Sequence, residues 1–199
     1  MESLTISGIY GIIGAIIGGG FTLIGTYYTF KNQREQASEN EKKIMQSLLQ
    51  AIHDELETIN ERYQETVGSR IESLEEGKGL TFYYPLVSDY FSVYNGNTFL
   101  IGRIENNDLR KQIIKTYTLL KGMVDSFRLN NDLVQKFEHS NKIFDETQSD
   151  VHRQHAIAHH MSLVEYAKTL QKGHQSLKQE MSILLRSIRK QGVLSEKMD

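Results

Sequence analysis

The densest group of chemistry-bearing side chains is VHRQHAIAHH, which holds His152, His155, His159 and His160. On an α-helix, positions 152, 155 and 159 fall within about 60° of one another, because the helix repeats every 3.6 residues. Imidazoles grouped in this way can share a divalent metal, and Asp145, one heptad earlier, could add a carboxylate. The stretch has no HExxH pattern and no carboxylate between the histidines to serve as a general base. Three readings stand: a solvated polar face, a metal site, or a patch sensitive to pH or to a partner, since imidazole titrates near neutrality. The missing base favours the solvated face, and no metal or other cofactor is assigned. His160 and His174 fall on an apolar seam, where hydrogen-bonded core histidines are expected.

Other reactive constellations are lacking. The chain has no cysteine, which excludes disulfides, thiolate metal sites and cysteine nucleophiles. Gly18-Gly19-Gly20 has no following lysine and lies inside an apolar run. Neither Gly77-Lys78-Gly79 nor Asn95-Gly96 follows a strand and opens a helix as a phosphate-binding loop must. No serine sits in a nucleophile elbow. The pairs Asp54-Glu55 and Glu75-Glu76 read as surface charge. Arg186, Arg189 and Lys190 suit the negative end of a helix dipole. With a net charge of −2, the chain carries no nucleic-acid footprint, so no direct nucleic-acid binding is expected. These absences point to a protein that is not an enzyme.

The elements follow from hydropathy. From Leu4 to Phe30 there is no charged residue, and about 20 apolar residues suffice to cross a bilayer. The segment before it, Met-Glu-Ser, lacks the basic residues of a signal peptide. Residues 1–30 are therefore read as one retained transmembrane helix. Lys31, Arg34, Lys42 and Lys43 follow it, so the positive-inside rule expects a bacterial inner-membrane protein with its N-terminus outside and its C-terminal domain in the cytoplasm. Tyr27, Tyr28 and Phe30 would anchor at the headgroups. Ser7, Gly11, Gly14, Gly18, Thr22 and Gly25 recur at three- and four-residue spacing and form a small-residue stripe suited to helix–helix packing in lipid, hence to a homo-oligomer.

After the span, residues 31–79 continue as a juxtamembrane and first cytoplasmic helix. Its stripe is Met45, Leu48, Ile52, Leu56, Ile59, Tyr63, Val67, Ile71 and Leu74, and it should stop at Gly77 and Gly79. Residues 80–103 are rich in aromatic rings and contain the only proline, Pro85. They read as an ordered loop with one short helix near Ser88 to Tyr94, or as a hairpin at Asn95-Gly96. Tyr84, Tyr90, Tyr94, Asn95 and Gly96 are its candidate partner-binding residues, set against the plainer role of filling a corner of the core. Residues 104–191 hold two long helices. One is capped at Asn106 or Asn107 and ends near His139 to Asn141; the other runs from about Asp145 to Lys190 with a near-heptad stripe. Residues 192–199 form a polar tail. The expected fold is all-α: a transmembrane helix, then an antiparallel, coiled-coil-like bundle of long helices with an aromatic-rich irregular loop.

The segments LLQAIHDELETIN, FSVYNGNTFLIGRI and LRKQIIKTYTLLKGMVDSF, centred on Tyr94 to Gly102 and Tyr117 to Gly122, resemble a group of small bacterial membrane proteins. The likeness covers roughly Leu48 to Asn131 plus the span and leaves out the histidine-bearing helix. Some similar proteins are encoded beside retrons and other anti-phage systems, where they look like membrane effectors. The resemblance implies a non-enzymatic effector of anti-phage defence, a toxin that acts on membrane lipid and is restrained by a cytoplasmic protein or ribonucleoprotein. The alternative is a membrane-anchored structural or adaptor protein that recruits a cytoplasmic partner through its bundle.

Overall fold

A computed structural model describes residues 2–85 and 90–191, with side chains from Gly19 onward. Among them the chain is helical, with no strand. Helix α1 spans Glu2–Tyr63, a π-helical turn covers Gln64–Gly68, and α2 is Ser69–Glu72. Two short helices follow, α3 (Ser92–Gly96) and α4 (Thr98–Gly102), then the long helices α5 (Asn107–Thr147) and α6 (Asp150–Arg189). The chain divides into two compact units, Met1–Gln46 and Ser47–Asp199.

The first unit is helical throughout its described backbone, and the polar run from Lys31 to Lys43 does not break it. Among the described residues no helix is long and apolar enough to cross a membrane. Ser7, Gly11, Gly14 and Gly18 lie outside the described side chains, as does most of the charge-free stretch, and the tail 192–199 lies outside the described residues altogether.

In the second unit the apolar stripes meet. Ile52, Leu56 and Val67 come from the first stripe, Ile113, Tyr117 and Val134 from α5, and Leu163, Leu170 and Leu184 from α6; all are fully buried. Each such aliphatic side chain contributes roughly 1.5–3 kcal/mol by leaving water. Helices α5 and α6 are antiparallel: Lys115 pairs with Glu180 at 2.5 Å, and further along Phe137 meets His160 with ring centroids 5.3 Å apart. Tyr63 reaches His174, and Glu57 reaches Arg189, so the first stripe is antiparallel to α6. Towards α5 it is parallel: Glu55 pairs with Tyr117 and Tyr63 with Phe127.

The bundle is thus not antiparallel throughout. Two parallel neighbours need a crossover that returns the chain, and residues 73–106 supply it. They run back along α5, from Leu80 against Asn130 to Tyr94 against Tyr117. The aromatic-rich segment is this crossover. In place of a hairpin it folds into α3 and α4, and Ile101 and Ile104 are buried just before the cap. Asn106 caps α5, its side chain accepting from the amides of Asp108 and Leu109 at 3.1 Å each. Helix α5 continues past Asn141 to Thr147, because neither glycine nor proline occurs between those two residues. Gln148 then adopts φ 53°, and its N–H closes on the Phe144 carbonyl at 2.7 Å. Asp145 therefore lies on α5, across the turn from the histidine-bearing helix.

Candidate functional site

The first stripe, the crossover and both long helices converge on one pocket of about 200 Å³. Its walls include Ile59 and Tyr63 from α1, Tyr84 and Tyr90 from the crossover, and Met123 and Phe127 from α5. Phe127 forms the floor, with ring centroids 5.0 Å from Tyr84 and 6.1 Å from Tyr63, tilted by 51° and 54°. Tilted pairs at these separations lie in the favourable range for aromatic rings. Burial raises the Tyr84 phenol, and hydrogen bonds join it to Thr66 and Tyr90. Arg62 stands at the rim, exposed and with no carboxylate partner among the described residues.

Behind Tyr63 runs a relay. Its hydroxyl lies 2.7 Å from His174 Nδ1, and His174 Nε2 lies 3.0 Å from Glu72. Lys178 donates to the same carboxylate at 2.6 Å. The hydrogen bonds from Lys178 and then His174 hold the Glu72 carboxyl down at about 2, so it is ionised and only accepts. His174 Nε2 must then carry the proton and donate, which leaves Nδ1 to accept from the Tyr63 hydroxyl. His174 is 3% exposed, so this is a hydrogen-bonded core histidine on the α6 seam. The order phenol, imidazole, carboxylate resembles a nucleophile relay. Burial, however, pushes the Tyr63 phenol well above its ordinary range. The arrangement therefore keeps Tyr63 neutral and donating, and locks α1 and α2 to α6.

The π-helical turn begins one residue after Tyr63 and inserts an extra residue into the helix. Thr66 bridges it, donating to the Arg62 carbonyl at 2.6 Å. Such turns are frequent at functional sites.

Two further groups fix the crossover. Asn131 accepts from the Tyr84 amide at 2.9 Å and donates to its carbonyl at 2.7 Å, while Asn130 donates to the Leu80 carbonyl at 3.1 Å. Glu55 accepts from the amides of Val93 and Tyr94 at 2.7 and 3.2 Å and from the Tyr117 hydroxyl at 2.6 Å. Burial, and then this carboxylate, raise the Tyr117 phenol far beyond its ordinary range.

The residues singled out from sequence divide between two places. Tyr84 and Tyr90 line the pocket. Tyr94 instead stacks on Tyr117 with centroids 4.0 Å apart, and Asn95 accepts from Lys121 at 3.3 Å. Gly96, at the end of α3, faces open space. In the histidine stretch, His152 meets the Thr147 hydroxyl at 2.7 Å, His155 is exposed and His160 rests on Phe137. Among the described residues no three histidine or acidic groups converge as a metal site. Of the small-residue stripe, Gly25 has nothing within 4 Å of where a Cβ would sit, and Thr22 lends its carbonyl to Thr26.

Several site residues carry no sequence signal of their own. Arg62 and the Asn130-Asn131 pair read as ordinary polar positions. His53 is 2% exposed, and Arg189, which can only donate, reaches His53 Nε2 at 3.1 Å. His53 Nδ1 therefore bears the proton and faces Asp54 at 3.3 Å. Only burial shows that this histidine belongs to the α1–α6 seam. No protein-family model, characterised protein or solved structure matches this chain.

Proposed function

We propose that the protein is a membrane-anchored, non-enzymatic effector, which acts when its apolar, glycine-rich N-terminal helix assembles with other copies and disrupts the bilayer. The single observation that carries this reading is the surface of α1 just before its first basic residue. Phe21, Leu23, Ile24, Tyr27, Tyr28 and Phe30 are between 55% and 74% exposed. Consecutive helical positions turn by about 100°, so these residues cover one half of the circumference, and the uncharged Thr22, Gly25, Thr26 and Thr29 fill the other half. So broad an exposed apolar face, with no charge on the opposite side, needs lipid or other helices to cover it. The charge-free sequence from Leu4 onward extends this surface to membrane-spanning length. Gly19, Gly20 and Gly25 leave open space where side chains would stand, which suits close approach by a second helix. A role in anti-phage defence is proposed from the resemblance of the segments around Tyr94 to Gly102 and Tyr117 to Gly122 to proteins encoded beside such systems.

The test is made on the full chain expressed in bacteria. It should stay in the membrane fraction after an alkaline carbonate wash and depolarise the cells, and Gly14→Leu with Gly18→Leu should abolish the depolarisation without releasing the protein. Washing off with carbonate would overturn the anchor. Unchanged depolarisation in the double variant would overturn the assembly mechanism.

The adaptor reading is favoured by a different observation, the aromatic pocket with an unpaired arginine at its rim. It expects function to survive exchange of the first 30 residues for an unrelated span.

A further inference from the structure

We infer that the pocket beneath Tyr63, Tyr84 and Tyr90 is a binding site for a small planar aromatic carboxylate, with its ring against Phe127 and its carboxylate on Arg62. The inference does not depend on the membrane reading, because every residue involved belongs to the second unit.

Three observations carry it. The first is size: an engineered apolar cavity of roughly 150 Å³ takes up benzene, and this pocket offers about 200 Å³, room for one ring and a short substituent. The second is the wall. Tyr63, Tyr84 and Phe127 present tilted rings, and Ile59 and Met123 complete an apolar lining. A planar ring gains from faces and edges so arranged, and the methionine thioether adapts to its outline. The third is the distribution of polar groups. The Tyr63 hydroxyl is committed to His174, and that of Tyr84 to Thr66 and Tyr90. Arg62 is the one charged residue of the lining and has no carboxylate partner among the described residues, and its guanidinium presents a planar fork that matches a carboxylate. A neutral ring would leave that fork unused, and a cationic ligand would be repelled by it. The π-helical turn that follows Tyr63 sets the helix geometry at this rim.

The test uses the purified full-length chain in lipid nanodiscs, with benzoate and its uncharged isostere benzamide as probes, measured by isothermal titration calorimetry against empty nanodiscs. Benzoate should bind at one site per chain with a Kd below about 1 mM, and benzamide about tenfold more weakly, as expected from loss of a charge-assisted pair. Arg62 is exposed and unpaired, so Arg62→Gln should keep the helical circular dichroism and melting temperature. It should bring benzoate down to the affinity of benzamide while leaving benzamide unchanged. Met123→Trp, which fills the pocket, should abolish both. Absence of saturable benzoate binding would overturn the inference. So would equal binding of the two probes, or a folded Arg62→Gln protein that still prefers benzoate.

Discussion

The side-chain amide of Asn131 mimics a peptide group towards Tyr84, taking its N–H at 2.9 Å and giving to its C=O at 2.7 Å. Tyr84 is buried, so both backbone groups depend on this one side chain. Asn131→Ala removes both partners. Leaving a buried polar group unsatisfied costs about 1–3 kcal/mol, so the variant should lose about 2–4 kcal/mol in urea unfolding. It should also release Tyr84 from Phe127 and weaken any ligand held in the pocket. A variant as stable as the parent would show that water replaces the amide without loss.

The Glu72 carboxylate ties acid stability to the α2–α6 contact. Its folded value is about 2 against an ordinary 4.5, because of the hydrogen bonds from Lys178 and His174. A depressed carboxyl stabilises the fold above its unfolded value and loses that contribution as pH falls through the folded one. Melting temperature should therefore fall as pH drops from 4.5 towards 2. Lys178→Met, which deletes the largest cause, should reduce the drop, and the difference between the two curves isolates Glu72 from other carboxylates. Parallel curves would place the Lys178 interaction outside the folding balance.

At the alkaline end the phenols act in the opposite direction. Burial raises Tyr63, Tyr84 and Tyr117 above the ordinary 10. A raised phenol stays protonated in the fold after the unfolded chain has released its proton, so stability is complete below 10 and is lost as pH rises beyond it. Part of the phenolate absorbance should then appear only together with loss of helical circular dichroism. Tyr117→Phe should remove part of that late absorbance. Complete ionisation of all ten tyrosines at constant helix content would contradict the burial.

How much of this was legible follows from how far each signal reaches along the chain. Stripes such as Leu163, Leu170, Leu177 and Leu184 repeat within one helix, so periodicity finds them and the all-helical class with them. The cap at Asn106 is equally local. The site is not local: Tyr63 and His174 are 111 positions apart, and Glu55 and Tyr117 are 62 apart. Tyr84 and Tyr90 stood out by ring density, but nothing in sequence separates them from Tyr94, which packs elsewhere. The Asn130-Asn131 pair reads as two ordinary polar positions, and only the crossover lying against it shows why asparagine is needed. The expectation of an all-antiparallel bundle failed for a related reason. An antiparallel neighbour needs only a short connection, whereas residues 73–106, with enough turn residues to suggest a loop, are long enough to carry the chain back beside α5.

Three glycines test the packing with opposite signs. At Gly122, in α5, an added Cβ meets nothing within 4 Å. Gly122→Ala should therefore show the helix-propensity gain, about 0.5–1 kcal/mol. At Gly173, in α6, the Cβ would lie 2.7 Å from Met123 Sδ. That atom is near the end of a flexible chain, so Met123 can swing aside, and Gly173→Ala should fall within about 1 kcal/mol of neutral. At Gly79 the Cβ would lie 2.8 Å from Leu163 Cβ and 3.1 Å from the Leu163 backbone carbon. Neither can move without shifting α6, so Gly79→Ala should cost about 1–3 kcal/mol, the usual penalty for overpacking. Urea unfolding of the three variants ranks them directly. If Gly79→Ala proved as stable as Gly122→Ala, the start of the crossover would not be seated on Leu163, and the hold on the aromatic segment would rest on the asparagine pair and Glu55.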